Sequence, residues 1–491
     1  MISEATTKQD FMSAFEKVLR PSNYINGSWV SEGKSQFEVK DKFTQAPIAE
    51  VFNATEAQME EAIASSVTAF EELKTWSAGK RADALQSIRD LLAERSEAFS
   101  QLIAAEAGKP IGYARAEISR CLNTLDVAIS EAIRFSGEIV PMDYSTGQGK
   151  TAITKRFPIG PIACISPFNF PLNLALHKIA PAIAAGCTLV LKPAPQSPLS
   201  ALAFAGLVDE TQCLPAGAIS VLMADIPEAE KLVRDDRMKM LSFTGSPSIG
   251  WHLKNIVGKK KVALELGGNA AVIIDEGVEL ESASKTVANG AFLYAGQICI
   301  STQRIYVHTS VYNKFESLLT EAVKQINTGD PRDEKNTVGP LIAPIHLKRV
   351  SDWVEEARSA GAKVLTGGKV LSEQNVTYAP TLLSHTNNSM KVCSEEVFGP
   401  VAILERVDSF EDAIERTNDS VFGLQAGVFT NRLDHMKLAF ETLEVGGVIM
   451  NNVPGFRIDN MPYGGIKDSG LGREGIRYAM EEMTEPRLLV Y

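Results

Sequence analysis

Residues 162–210 read IACISPFNFPLNLALHKIAPAIAAGCTLVLKPAPQSPLSALAFAGLVDE, and their texture decides the fold class. Two short apolar runs, IACIS and TLVLK, are each followed by a helix-length segment, NLALHKIAPAIAAG and PLSALAFAGLVDE. Strands this apolar have no wet face, so helices must cover both sides of their sheet. The runs ISVLM (219–223) and MLSF (240–243) continue the alternation, which predicts an α/β domain with a doubly wound, Rossmann-like parallel sheet. Such sheets bind ligands beyond the carboxyl ends of their strands.

Toward the N-terminus, EAQMEEAIASSVTAFEELKTW (56–76) and KRADALQSIRDLLAERSEAFSQLIAAEAGKP (80–110) space their apolar residues by three and four, as long helices do. The second is expected to be one helix, stopped at Gly108 with Pro110 beyond. From about residue 268 a second α/β region follows, with AVIID, RIYVH, AKVLTGG, PTLLS, VAILERV and GGVIM as strands and 310–326 and 347–361 as helices. No repeat, low-complexity tract or Pro/Ser linker separates the two regions, so a close interface is expected. The terminal RLLVY is a short apolar strand that would be an open edge if left alone.

Composition excludes several partners. The 491 residues are 45% hydrophobic and 22% charged, as in an ordinary globular protein, and 49 basic against 60 acidic side chains give a net charge of −11. That charge opposes phosphate backbones, so no nucleic acid is expected. No uncharged apolar run approaches the roughly 18 residues of a membrane span, and the first residues mix charges without a signal-peptide core, which predicts no membrane partner and a cytoplasmic protein. The six cysteines, at 121, 164, 187, 213, 299 and 393, form no C-x-x-C pair and the six histidines no H-E-x-x-H, so neither a disulfide framework nor a metal site is expected.

Several segments have the residue types of a reactive site. In MLSFTGSPSIGWHL a strand meets Gly245, Ser246 can N-cap and Pro247 suits the first helical position; the helix start either receives a pyrophosphate or is an ordinary connection. Lys192 ends a strand and is placed either for a ribose or phosphate or in solvent. Glu265, in KVALELGGN, lies in an otherwise apolar strand, where burial would raise its pKa toward that of a general base, unless it points outward. Asn169 in ISPFNFPLNL either donates to an oxyanion or closes a turn, and Glu395 and Glu396 before Phe398 are either ligand contacts or a solvated pair. Cys299, in LYAGQICISTQ, is a small buried hydrophobe or a nucleophile; its own neighbours supply neither a base nor a stabilised thiolate.

Taken in order, YINGSWV, FNFP, LVLKPAPQSP, FTGS, LELGGN, GQICIS, EEVFGP and MPYGGIKDSGLGRE resemble the aldehyde dehydrogenase superfamily, from about residue 24 to the C-terminus. The resemblance implies an NAD(P)-dependent enzyme, needing no metal, that oxidises a small aldehyde through Cys299 as nucleophile, Glu265 as base and Asn169 as oxyanion donor. It implies cofactor contacts from Lys192, Ser246, Glu396, Phe398, Ser166, Pro195 and Gly245. It divides the chain into a cofactor domain (1–133 plus 157–265), a catalytic domain (266–465) and a β extension for oligomerisation (134–156 plus 477–491), hence a homodimer or homotetramer. A coenzyme A-acylating branch usually lacks a glutamate at the position of Glu265, so hydrolysis is favoured over that alternative and over a non-catalytic relative. In strictly NAD-preferring relatives a glutamate stands where Pro195 lies and would repel a 2′-phosphate, so both NAD and NADP are expected to be accepted. Arg457 borders the substrate tunnel in relatives and either meets an anionic substrate or forms a rim salt bridge. The resemblance places His177 with Arg457 among the substrate residues, at a position where succinic semialdehyde enzymes often have an arginine, which counts against that substrate.

Overall fold

A computed structural model describes residues 15–491. Its first sheet has eight strands in the order 28–30, 23–25, 219–221, 189–192, 162–165, 240–244, 261–265 and 470–471. The five from 219–221 to 261–265 are parallel, and every residue of Ile162–Ile165, Ile219–Val221 and Met240–Thr244 is buried, as the apolar runs require. The chain enters at Ile162–Ile165, winds outward through Leu189–Lys192 to Ile219–Val221, then returns to the other side through Met240–Thr244. Strand order therefore reverses between Ile162–Ile165 and Met240–Thr244, where the helices on either face diverge and leave a crevice. An Asn26-Gly27 turn, both residues at positive φ, folds residues 23–30 into the antiparallel hairpin that closes one edge.

The second sheet has seven strands in the order 363–366, 381–384, 401–407, 304–308, 271–274, 425–429 and 447–450. All are parallel except Lys363–Thr366, which runs antiparallel at one edge. The link from Glu265 to Ala271 passes straight from the carboxyl end of one sheet to the amino end of the other. The carboxyl edge of the first sheet thus faces the amino edge of the second. Gly470–Leu471 pairs back onto Lys261–Glu265, so a segment beyond residue 465 completes the first sheet.

The helix expected over 80–110 is two helices, Ala78–Glu94 and Ser96–Ala107, broken at Arg95. The Ser96 hydroxyl donates to the carbonyls of Leu92 and Ala93, taking acceptors that the continuing helix would use. The second helix ends as expected at Gly108, whose φ of 67° suits glycine. Thr484–Val490 pairs with Ala152–Pro158, which pairs with Ile139–Val140. Leu488, Leu489 and Val490 remain exposed on that edge strand. Among the described residues no helix is long and apolar enough to cross a membrane.

Candidate active site

Cys299 stands ahead of strand Arg304–His308, on the seam between the sheets. The chain reaches it through Tyr294, Ala295 and Gly296, with φ of 49°, 54° and 68°. Such a left-handed run costs backbone strain that only dense surroundings can hold. Those surroundings are present: the Tyr294 hydroxyl donates to the Ala107 carbonyl at 2.7 Å, and a Cβ on Gly296 would strike the Gly399 carbonyl. Gly268 packs its Cα against the Cys299 carbonyl so closely that a Cβ would lie 2.6 Å from the oxygen. The glycine pair after Glu265 therefore lets the backbone of the second sheet's entry touch the cysteine loop.

The Cys299 sulfur opens into a cavity of about 340 Å³ that is also lined by Asn169, Phe170, Arg120, Arg457 and Tyr463. Asn169 follows strand Ile162–Ile165 at the reversal of strand order. Its amide nitrogen donates to the Gln297 carbonyl at 2.9 Å and its oxygen accepts from Phe170 N at 3.1 Å. One amide proton of Asn169 and the N–H of Cys299 are left without a partner among the described residues. Burial, chiefly, pushes the Cys299 thiol up to about 12, with the Glu396 and Glu265 carboxylates adding to it and Tyr463 and Arg457 opposing. The resting sulfur is therefore protonated at neutral pH.

Glu265 ends strand Lys261–Glu265, buried to 3% exposure, and neither carboxylate oxygen has a hydrogen-bond partner among the described residues. It does not line the cavity but lies behind the Tyr463-Gly464 segment, where a Cβ on Gly464 would be 2.9 Å from Oε1. Burial, reinforced by the Glu474 charge, raises its pKa well above the usual 4.5. Around it lies an ionic cluster whose members, Arg457 and the Glu474 that ends MPYGGIKDSGLGRE among them, are not joined by any spacing in the sequence. Glu474 Oε1 stands 3.1 Å from Lys178 Nζ and its Oε2 is 3.2 Å from Arg457 Nη2. Lys178 also donates to Ser242 and Thr244 on the strand beside Glu265.

Arg457 is no rim arginine. It is buried and paired with Glu474, and it stacks 3.6 Å from the Tyr463 ring centroid. Its Nη2 donates to His177 Nδ1 at 3.2 Å, so the neutral imidazole carries its proton on Nε2, which faces Asp459 Oδ1 at 3.1 Å but out of line for a good hydrogen bond. Burial, with Arg457 nearby, lowers the pKa of His177 to about 4. His177 stands behind Arg457 and does not line the cavity, which corrects its expected place among the substrate contacts. Arg120, unremarked in the sequence, does line it, and pairs with Asp459 at 3.2 Å. The Nε of Arg120 and that of Arg457 are both buried without a hydrogen-bond partner.

The remaining candidates rim the crevice. Ser166 follows Ile162–Ile165 and its buried hydroxyl has no partner. Lys192, at the end of its strand, donates among the described residues only to the Pro193 carbonyl; burial lowers its pKa to about 8. Pro195 is exposed beyond it. Ser246 occupies the N-cap of Pro247–Ile256, yet its hydroxyl makes no capping bond, so the first-turn N–H groups stay open, contrary to the expected cap. Gly245 N donates to the Glu265 carbonyl at 3.0 Å. Glu396 Oε1 accepts from Gly268 N at 3.0 Å, and burial raises its pKa to about 7. Phe398 has a φ of 45°, a strained value for an aromatic residue, and meets Phe168 edge-on at 5.7 Å. Open N–H groups, an unsatisfied hydroxyl and an uncommitted ammonium on one rim fit an anionic dinucleotide.

The profile of the Aldehyde dehydrogenase family matches residues 29–489. The chain is 42% identical over 481 residues to the 3-sulfolactaldehyde dehydrogenase of Priestia aryabhattai, covering 98% of this chain and 99% of that one. Aldehyde dehydrogenase 21 of Physcomitrella patens, solved in complex with the reaction product succinate, superposes with a TM-score of 0.93 at 40% identity, covering 96% of this chain and 98% of that chain. The glyceraldehyde-3-phosphate dehydrogenase GapN of Methanocaldococcus jannaschii, complexed with NADP, superposes with a TM-score of 0.89 at 34% identity, covering 94% of this chain and all of that chain (100%).

The buried, partner-free Glu265 carries a stability signature. Its raised pKa favours the neutral acid in the fold, so that contribution is complete below the usual 4.5 and is lost as pH rises toward the folded-state value. Glu265→Gln removes this loss. The melting temperature of the variant relative to the parent should therefore climb from acid toward neutral pH in thermal unfolding scans; a constant difference would exclude a raised pKa.

Proposed function

The chain belongs to the aldehyde dehydrogenase family and oxidises aldehydes with NAD or NADP, and from that premise we propose that Cys299 is its nucleophile and Glu265 the base that releases a carboxylic acid. The observation that carries the reading is the meeting of Cys299 and the free Asn169 amide proton on one cavity wall, with a buried carboxylate lacking any partner directly behind.

A protonated thiol must lose its proton before it attacks. Glu265, whose raised pKa makes it a willing acceptor, lies close enough to perturb the sulfur electrostatically. The thiolate bonds to the carbonyl carbon, and the resulting oxyanion accepts from the Asn169 amide and the Cys299 N–H, each donor contributing on the order of 3 kcal/mol. When bound, the nicotinamide supplies a hydride acceptor. After passing the thiol proton on to solvent, Glu265 takes a proton from water, which adds to the thioester carbon; the carbon–sulfur bond breaks, the sulfur departs as thiolate and the acid leaves.

Lys192, Ser166, Gly245 and Ser246 would hold the adenosine and pyrophosphate, and Glu396 and Phe398 the nicotinamide half. Pro195 offers no charge against a 2′-phosphate, which supports use of both nucleotides.

The substrate, in this reading, is a small aldehyde with an anionic group, met by the partner-free Nε–H groups of Arg120 and Arg457 in the cavity. The relatives' names, one for a sulfonated aldehyde and one with bound succinate, support an anion at that end. Since His177 only positions Arg457, it does not weigh against a carboxylate. The exposed Leu488–Val490 edge supports pairing of strands between subunits in a homodimer or homotetramer.

Cys299→Ser should lower turnover at least about a thousandfold in nucleotide absorbance assays without coenzyme A, and Glu265→Gln should accumulate an acyl group on Cys299 in intact-mass spectra. Parental turnover by Cys299→Ser would end the proposal. In kinetics on neutral and anionic aldehydes, Arg120→Ala should raise KM about tenfold or more for the anionic set alone. Equal effects on both sets would remove the anionic substrate, and an NAD preference above about a hundredfold in kcat/KM would remove dual cofactor use. Light scattering should give a mass of two or four chains; a monomer would exclude the assembly.

A further inference from the structure

We propose that Tyr463 is a further catalytic residue, a phenol whose O–H donates to the Cys299 sulfur and stabilises the attacking thiolate once the thiol proton has left. The inference rests on the reading of Cys299 as nucleophile. The Tyr463 Oη lies 3.2 Å from the Cys299 Sγ, the sole side-chain hydrogen bond of that sulfur among the described residues. The hydroxyl has no second partner, so its one proton is not committed elsewhere.

The phenol is fixed on every side. Tyr463 N donates to the Glu474 carbonyl at 3.0 Å and Glu474 N returns a bond to the Tyr463 carbonyl at 2.6 Å. Arg457 lies 3.6 Å from the ring centroid, and is itself held by Glu474 Oε2 and His177 Nδ1. A guanidinium over the ring withdraws electron density and makes the phenol a stronger donor.

While the sulfur carries its proton, either atom can donate across the 3.2 Å gap. Once the proton has left, only the phenol can. A hydrogen bond to a charged acceptor is stronger than one to a neutral acceptor, so the contact stabilises the thiolate over the thiol. This opposes burial and the Glu396 and Glu265 charges, all of which hold the thiol protonated. Among the described residues no other neutral donor reaches the sulfur.

The test is the pH dependence of Cys299 alkylation by iodoacetamide in the cofactor-free protein, followed by peptide mass spectrometry. Tyr463→Phe keeps the ring, its stack on Arg457 and both backbone bonds. It should alkylate about tenfold more slowly at each pH, equivalent to a rise displaced upward by about one pH unit. Difluorotyrosine at 463, a more acidic phenol, should displace the curve downward, and this arm decides if Tyr463→Phe does not fold. Curves coinciding with the parent would overturn the proposal and leave Tyr463 as packing alone. Alkylation reports on the sulfur whatever its role. Unchanged curves beside an inactive Cys299→Ser would sink only the Tyr463 proposal, whereas displaced curves beside a fully active Cys299→Ser would sink only the parent reading.

Discussion

Glu474 holds two cations, Lys178 and Arg457, against its buried carboxylate, the first fully buried and the second reaching the cavity wall. Removing one member of such a buried group leaves an uncompensated charge, at a cost of about 3–5 kcal/mol, so the three stand or fall together. Through them the site acquires its shape. Lys178 ties a helix to the strand beside Glu265, and Arg457 clamps the Tyr463 ring. The Glu474 backbone fixes the segment that separates Glu265 from the cavity.

The cluster also divides the electrostatic labour among the carboxylates. Glu474 is surrounded by cations and stays ionised: burial pushes its pKa upward, but Lys178, Arg457 and His177 outweigh that and bring it to about 2. Glu265, with no hydrogen-bond donor and with the charge of Glu474 nearby, moves the other way. Two glutamates on adjoining segments thus become a permanent anion and a proton acceptor because of what each one touches. Asp459 repeats the first pattern on a smaller scale: burial pushes it upward, and His177, Arg120 and Asn123 more than offset this.

What the sequence disclosed was what local order determines. The doubly wound sheet followed from apolar runs alternating with helix-length segments, and each expected strand of the second region is present. Gly108 ended its helix because a left-handed residue there is a local matter. The ordered motifs singled out Cys299 and Asn169, which the fold brings to one cavity, and Lys192, which ends its strand. The break at Arg95 escaped notice because Ser96 is compatible with a helix until its hydroxyl takes backbone acceptors. Glu474, Tyr463 and Arg120 escaped for a different reason. Lys178 and Glu474 are 296 residues apart, Cys299 and Tyr463 are 164, and Arg120 and Asp459 are 339. No periodicity or spacing encodes contacts of that separation. A position in a family pattern does not say which way a side chain faces, and the His177 imidazole meets Arg457 and Asp459 instead of the cavity.

The return of Gly470–Leu471 to the edge of the first sheet sets an order of assembly. During synthesis the strands up to Lys261–Glu265 leave the ribosome about two hundred residues before the strand that flanks Glu265. Domains fold as they emerge, so the first sheet waits with one border uncovered while the second region is translated. The reactive centre is completed only by nearly the last stretch of the chain, since the phenol that meets Cys299 and the Glu474 backbone that holds it both lie beyond residue 460.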